Sequence, residues 1–207
     1  MTSHQITSEV ELRALMGEPV HELILAKSTD TITEPMKRYI EQSPFVCLAT
    51  HGKDGTGDVS PRGDAPGFVH ILDDKTLVIP DRPGNKRLDS IVNIINQSEL
   101  ALLFIIPGVL ETLRVNGTGV ISTDPELLGR FAVNGKLPAL VIVVTVEEAL
   151  GHCSKAFRRS KLWQPDYLPV DKVPSLAELM SGHLQLDADT TDMLESAIED
   201  DALNNMY

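Results

Sequence analysis

The chain of 207 residues is predicted to have an α+β fold, mainly an antiparallel β-barrel with helices at both ends. Runs of β-forming residues follow one another closely, and they cover residues 45–50, 58–62, 68–72, 76–80, 100–106, 110–121 and 139–146. Turn residues at 73–75 and 107–108 make short connections, which favour antiparallel neighbours. One helical pattern is inserted between the fourth and fifth runs. Short strands with a single inserted helix indicate a barrel.

The composition is that of an acidic, folded protein. It has 30 Asp and Glu residues against 18 Lys and Arg, for a net charge of −12, and 42% of its residues are hydrophobic. This excess of acid argues against a broad nucleic-acid or anionic-membrane surface. No run reaches the ~20 apolar residues of a membrane span, and no basic region precedes an apolar run at the N-terminus, so a cytoplasmic location is expected. The two cysteines, Cys47 and Cys153, indicate neither a disulfide framework nor a zinc site.

An N-terminal helical arm is predicted over residues 1–43. Ser8 precedes a helical pattern at 9–16 that Gly17 ends, and Thr33 precedes a second pattern at 34–41. Residues 20–26 form a short apolar run between them, which is compatible with a helix or a strand.

The inserted helix is predicted to begin near Lys86, with Asn85 as its N-cap. One face of this helix is apolar and consists of Leu88, Ile91, Val92 and Ile95. The helix start also carries the cations Arg82, Lys86 and Arg87.

These cations have two interpretations. A helix N-terminus carries partial positive charge, so cations there are unfavourable unless an anion is present, and backbone N–H groups with Lys and Arg are a common phosphate site. Alternatively, the segment is a solvated basic loop whose charge Asp81 and Asp89 offset. The local spacing does not choose between them.

Two strands are apolar throughout, at 100–106 and 139–146. A barrel interior covers only one face of its strands, so the second face needs a lid or a partner subunit, and a homodimer is predicted. After the barrel come a basic segment at 155–163 and an acidic helix at 187–204 with Met193, Leu194 and Ile198 on one side.

Two glycine patterns resemble ligand sites only weakly. The glycines at 55 and 57 lack the third glycine and the following helix of a dinucleotide fingerprint, so they indicate a hairpin turn. Along residues 112–119, polar residues alternate with apolar and small ones, and the small face permits a close approach.

Three ordered motifs resemble a known family. They are Ser-Pro-Arg-Gly-Asp-Ala-Pro-Gly-Phe at 60–68, Ile-Pro-Asp-Arg-Pro-Gly-Asn at 79–85 and Glu-Thr-Leu-Arg-Val-Asn-Gly at 111–117. Together they resemble the pyridoxamine-phosphate-oxidase-like FMN-binding split barrels, in particular a subgroup of FMN-dependent proteins, over residues 41–165. The resemblance implies a six-stranded antiparallel split barrel at 44–165 and a homodimer with FMN between the subunits. The residue patterns add the helical arm at 1–43 and a C-terminal helical extension at 166–207.

The resemblance also implies which residues contact the cofactor. Lys86 corresponds to a phosphate ligand, Arg62 lies beside the N1–C2=O edge of the flavin, and Thr112 occupies the position of a flavin-bonding glutamine. Residues after the last strand would contribute to the flavin of the other subunit. The full expected set is Ser60, Arg62, Arg82, Asn85, Lys86, Arg87, Thr112, Arg114, Lys155, Arg158 and Trp163.

The function implied is an FMN-dependent oxidoreductase that acts on an unidentified small molecule, with no side-chain acid or base assigned. The family's phosphate-binding Arg and His pair is replaced by Ser-Lys-Leu-Trp-Gln-Pro at 160–165, which disfavours pyridoxamine phosphate as substrate. Alternatives are a non-catalytic flavin, haem or deazaflavin protein and a cofactor-free interaction module. A nucleophilic role for His152 and Cys153 is disfavoured because neighbouring side chains on one strand point apart.

Overall fold

The computed structural model describes residues 4–19, 21–164 and 173–207, and its strands form one antiparallel sheet. The strands are β1 (Phe45–His51), β2 (Gly57–Gly63), β3 (His70–Asp73), β4 (Thr76–Pro80), β5 (Glu99–Ile105), β6 (Thr112–Ser122) and β7 (Val141–His152). Their order is β2-β1-β5-β6-β7-β4-β3, and every neighbouring pair is antiparallel. The predicted α+β antiparallel fold is confirmed, with seven strands instead of six.

Eight helices accompany the sheet in the described residues. They are α1 (Glu9–Met16), α2 (Glu22–Leu25), α3 (Glu34–Gln42), α4 (Asp89–Asn96), α5 (Pro125–Gly129), α6 (Lys155–Ser160), α7 (Leu176–Leu184) and α8 (Ala188–Asn204). None of the helices in the described residues is long and apolar enough to cross a membrane.

The N-terminal arm contains the two predicted helices. The Ser8 side chain accepts a hydrogen bond from the Glu11 N–H at the start of α1, and α1 buries no residue. The intervening run is helical at Glu22–Leu25, whereas position 20 lies outside the described residues. Farther along, Ile32 and Ile40 lie in the barrel core, so the arm is integrated with the barrel before residue 43. The predicted boundaries at 43/44 and 165/166 remain predictions.

Helix α4 packs against part of the core. Ile91 and Ile94 of α4 are buried against β1, β2 and β6. The predicted apolar face is therefore partly wrong: Val92 and Ile95 are 49% and 68% exposed. The helix contacts the sheet through Ser90, Ile91 and Ile94, whereas Val92 and Ile95 stay exposed.

The predicted start of α4 at Lys86 is also wrong, because the helix begins at Asp89. Lys86 and Leu88 have φ angles of 58° and 61°, which a right-handed helix does not permit. The Asn85 side chain accepts a hydrogen bond from the Arg87 N–H, so it closes a local turn instead of capping the helix.

The apolar strand β5 has a clear inward and outward face. Leu100, Leu102 and Phe104 are buried in the core, whereas Ala101, Leu103 and Ile105 on the other face are only half-buried. The outward face thus keeps apolar surface accessible in the single chain.

The C-terminal region ends in the paired helices α7 and α8. Asp187 caps α8 by accepting a hydrogen bond from the Thr190 N–H, and the helix covers the predicted acidic segment at 187–204. Leu194 and Ile198 are half-buried, but Met193 is 74% exposed, so the predicted apolar side is narrower than expected.

Candidate functional site

A cleft of about 880 Å³ lies between three segments of the chain. Its walls are the edge strand β2, the loop at 80–88 with the first turn of α4, and residues 137–140. Six of the predicted cofactor residues line it: Ser60, Arg62, Arg82, Asn85, Lys86 and Arg87. The volume falls within the ~300–1,000 Å³ typical of small-molecule pockets.

The loop at 80–88 presents backbone and cationic groups to the cleft. Its left-handed residues Lys86 and Leu88 turn the chain sharply just before Asp89. The first N–H groups of a helix have no partner within the helix, and they lie at its positive end. The start of α4 is joined to β2 by a hydrogen bond that the Ser90 hydroxyl donates to Asp58 at 3.4 Å. This loop is therefore suited to an anion.

Most cations of the cleft are paired with carboxylates. Ion pairs join Arg62 to Asp81 at 2.6 Å, Arg82 to Asp64 at 2.6 Å and Arg87 to Asp89 at 2.7 Å. The expected offset of the loop by Asp81 and Asp89 is thus observed, although Asp81 pairs with Arg62 of β2. The Lys86 ammonium makes no ion pair or hydrogen bond within the described residues.

Arg62 lines the cleft and carries a buried donor that has no partner among the described residues. Its side chain is 19% exposed, and its Nε is buried without a hydrogen-bond partner among the described residues. A buried N–H without an acceptor is costly, and a ligand oxygen would remove this cost. The geometry therefore favours a hydrogen-bond acceptor beside Arg62.

Arg82 has structural partners on two segments. Its Nε donates to Asp64, which follows β2, and its Nη1 donates to the main-chain oxygen of Phe131 at 2.8 Å. The Tyr207 hydroxyl donates to the other Asp64 oxygen at 2.8 Å, and the Tyr207 ring lies 5.4 Å from the Arg82 guanidinium. Burial acts to raise the pKa of Asp64, but hydrogen bonds from Tyr207, the Ala65 N–H and Arg82 outweigh it and hold this pKa below its usual value.

The predicted residues Thr112 and Arg114 lie on β6, away from the cleft lining. Thr112 is buried, and Arg114 pairs with Glu148 at 3.3 Å while its Nε is buried without a partner in the described chain. Burial, the Arg114 charge and the Lys27 charge lower the pKa of His152, which lies opposite Thr112.

The remaining predicted residues follow β7. Lys155 and Arg158 belong to α6, and the Trp163 indole N–H donates to the main-chain oxygen of Val109 at 2.8 Å. The single chain does not bring this group to the cleft lining.

The small face of β6 contacts protein. A Cβ added to Gly117 would lie 2.0 Å from the Thr145 main-chain oxygen, and one added to Gly119 would lie 2.6 Å from Leu100 Cδ2. The close approach predicted for these small residues is made by β7 and β5.

Sequence reasoning did not find the cleft wall at 137–140 or the contribution of Tyr207. Neither segment carries a motif. Residues 137–140 line the cleft through the tertiary fold, whereas Tyr207 does not line it and contacts Asp64 and Arg82 beside it. In the described part of the chain, no cluster of three or more His, Cys, Asp or Glu side chains is arranged to hold a metal ion.

Comparisons with known proteins give one family match. The model of a family described as pyridoxamine 5'-phosphate oxidase matches residues 32–153. No curated protein sequence matches the chain.

Solved structures with a similar fold share little sequence with this chain. HupZ from Group A Streptococcus is 23% identical, with 56% of this chain and 90% of that chain covered and a TM-score of 0.46. General Stress Protein 26 from Bacillus anthracis is 17% identical, with coverages of 57% and 91% and a TM-score of 0.44. An FMN-binding protein from Syntrophomonas wolfei is 10% identical, with coverages of 69% and 97% and a TM-score of 0.44.

Proposed function

Because this chain belongs to the pyridoxamine 5'-phosphate oxidase family, we propose that it is an FMN-dependent oxidoreductase acting on a small molecule. The observation that carries the proposal is the cleft, where the loop at 80–88 and the strand β2 meet. These segments carry two of the three motifs that resemble the family.

The residues present fit a phosphorylated flavin. At one end of the cleft, Lys86, Arg87 and the N-terminal N–H groups of α4 would hold the phosphate. On β2, the free Arg62 Nε would donate to a ring carbonyl oxygen. Pro80, Phe68 and Ile91 add apolar surface to the same cleft, which suits an aromatic ring system.

The bound FMN would supply the redox chemistry by accepting and passing on a hydride or electrons. The protein's own residues would bind and orient it. No histidine or cysteine lines the cleft in the described residues, so its walls offer charge and shape without a neutral-pH acid or base. Arg62 would stabilise negative charge at the ring, with Asp81 fixing the guanidinium in place.

We also propose that the active form is a homodimer. The half-buried face of β5, with Ala101, Leu103 and Ile105, would pack against a second copy. Arg114 pairs in register with Leu103, so its side chain, whose Nε has no partner in the described chain, lies on the same face of the sheet. Thr112, Arg114, Lys155, Arg158 and Trp163 do not line the cleft of their own chain, and in a dimer they would approach the flavin of the other subunit.

The visible spectrum of the purified protein, before and after addition of FMN, tests the proposal. Flavin absorption bands that remain after gel filtration support it, whereas a Soret band or the absence of any bound chromophore would contradict it. Stopped-flow mixing of the FMN-loaded protein with NADH or NADPH then separates an oxidoreductase from a carrier. Bleaching of the flavin followed by its reoxidation is the result expected of an enzyme. The absence of flavin reduction by either NADH or NADPH would favour a carrier.

A further inference from the structure

Tyr207 contacts three segments that line or adjoin the cleft, although it lies far from all of them in sequence. Its hydroxyl donates to Asp64 at 2.8 Å, and its ring lies against the guanidinium of Arg82. Its main-chain oxygen accepts a hydrogen bond from the Lys136 ammonium at 2.7 Å. We call Tyr207, Asp64, Arg82 and Lys136 the Tyr207 latch.

Each residue of the latch is coupled to a lining segment. Asp64 directly follows β2, and Arg82 lies in the loop that leads to Lys86. Lys136 precedes the wall at 137–140 and closes a tight turn, in which Val133 and Lys136 exchange two main-chain hydrogen bonds of 2.9 Å. Asn134 and Gly135 occupy the centre of this turn with φ angles of 51° and 75°, which are the values of a type I′ turn. The latch therefore ties three lining segments together at one end.

The ion pair between Asp64 and Arg82 is expected to depend on the Tyr207 hydroxyl. The Asp64 and Arg82 side chains are 5% and 17% exposed, so their ion pair is largely shielded from water. One Asp64 oxygen accepts from Arg82, and the other accepts from Tyr207 and from the Ala65 N–H at 2.7 Å, so without the Tyr207 hydroxyl that second oxygen keeps only the main-chain donor. Hydrogen bonds to a charged group are stronger than those between neutral groups, and a shielded carboxylate that loses one is poorly compensated.

We propose that Tyr207 is a positioning residue for the cleft, which holds Arg82 and the wall at 137–140 in place and thereby slows the release of bound FMN. This inference rests on the proposed function for the identity of the ligand. Tyr207 acts through Asp64 and Arg82, and it is not assigned a contact with the ligand itself.

The variant Tyr207→Phe tests the latch, because it keeps the ring beside Arg82 and removes the hydroxyl donor. Tyr39→Phe is the matched control, since the Tyr39 hydroxyl donates at 2.7 Å to the main-chain oxygen of Glu111, outside the cleft lining. FMN dissociation is followed by the recovery of flavin fluorescence after dilution. We expect Tyr207→Phe to raise the dissociation rate about fivefold, the loss of one partly shielded charge-assisted hydrogen bond. Tyr39→Phe should leave it unchanged.

A double-mutant cycle with Asp64→Asn separates positioning from general destabilisation. If Tyr207 acts through Asp64, Tyr207→Phe should change the dissociation rate less than about twofold in the Asp64→Asn background. Fully additive effects would overturn the coupling. Equal acceleration by Tyr39→Phe would show a nonspecific loss of stability and would also overturn the proposal.

Amide hydrogen exchange of the ligand-free protein provides a readout that does not depend on FMN. The N–H groups of Val133 and Lys136 are hydrogen-bonded in the turn, so they report on its opening. We expect faster exchange over residues 130–140 in Tyr207→Phe but not in Tyr39→Phe. If FMN does not bind at all, the proposed function fails while this exchange still decides the latch. Unchanged exchange in Tyr207→Phe would overturn the latch even if FMN binds.

Discussion

The ion pairs of the cleft determine which cations are available to an anionic ligand. Arg82 is paired with Asp64 and with the Phe131 oxygen in a poorly exposed position, so reaching a ligand would require it to give up these partners. Arg87 pairs with Asp89 where its side chain is 75% exposed, and such surface pairs contribute little and exchange easily. Arg87, and Lys86, which makes no ion pair within the described residues, are therefore the cations that can turn to a phosphate at little cost.

Lys86→Ala should weaken FMN binding much more than riboflavin binding, because the two ligands differ only in the phosphate. A charge-assisted contact is worth about 1.5–3 kcal/mol, which corresponds to a loss of roughly ten- to hundredfold for FMN alone. Arg87→Ala should act in the same direction. Fluorescence titration with both ligands measures the difference.

Lys53→Ala is the control for Lys86→Ala, since Lys53 is exposed in the turn between β1 and β2 and does not line the cleft. It removes the same charge from the molecule, so it reports the effect of net charge alone. Equal weakening of FMN and riboflavin by Lys86→Ala would contradict the phosphate assignment.

Substitutions of Arg62 and Asp81 should shift the flavin reduction potential in opposite directions. Arg62→Ala removes a cation beside the ring, which disfavours the anionic reduced form and lowers the potential. Asp81→Asn removes the charge that offsets this cation, so it should raise the potential. Potentiometric titration of the FMN-loaded variants makes the comparison. Shifts of the same sign would contradict the placement of Arg62 beside the flavin ring.

The start of α4 shows what element-level sequence patterns could and could not reveal. The breaker residues and the apolar period located a helix between β4 and β5, but the period did not identify the buried face. Ser90, Ile91 and Ile94 form that face, and two left-handed residues, Lys86 and Leu88, precede the first helical turn. A left-handed lysine or leucine is rare, and nothing in their side chains signals it.

The glycines of β6 illustrate the same limit in a strand. Their spacing indicated a close approach, and the structure shows that the approaching group is a neighbouring strand. At Gly117, where the register between β6 and β7 shifts, there is no room for a Cβ beside the Thr145 oxygen. The small residues of β6 therefore make room for the neighbouring strands of the sheet.

Gly117→Ala should destabilise the fold, because a backbone oxygen cannot move as a flexible side chain does. Forcing an additional methyl group into a packed strand pair costs about 1–3 kcal/mol. Gly151→Ala on β7 is the control, since its Cβ would meet nothing within 4 Å. Urea titrations give the free energy of unfolding of both variants. Equal losses would contradict the close contact between position 117 and the Thr145 oxygen.

At the scale of the whole molecule, the sequence located the cleft better than its far wall. The motifs at 60–68 and 79–85 lie on elements that the strand pattern had already placed, so their residues meet as expected. Residues 137–140 reach the cleft, and Tyr207 reaches its neighbours Asp64 and Arg82, through long-range packing that leaves no local periodicity or motif. The inward face of β5 was equally unreadable, because a wholly apolar run does not distinguish its two sides.

The structure now distinguishes the two faces, which makes the homodimer proposal testable by a pair of neighbouring substitutions. Leu102 is fully buried in the core, whereas Leu103 lies on the half-buried outward face. Leu102→Asp should therefore prevent folding, because it buries an unpaired charge. Leu103→Asp should give a folded monomer that binds FMN weakly, since a ligand held between subunits stabilises the dimer by mass action. Sedimentation velocity with and without FMN measures the association, and circular dichroism establishes that the Leu103 variant is folded. A native chain that sediments as a monomer when saturated with FMN would contradict a cofactor site between subunits.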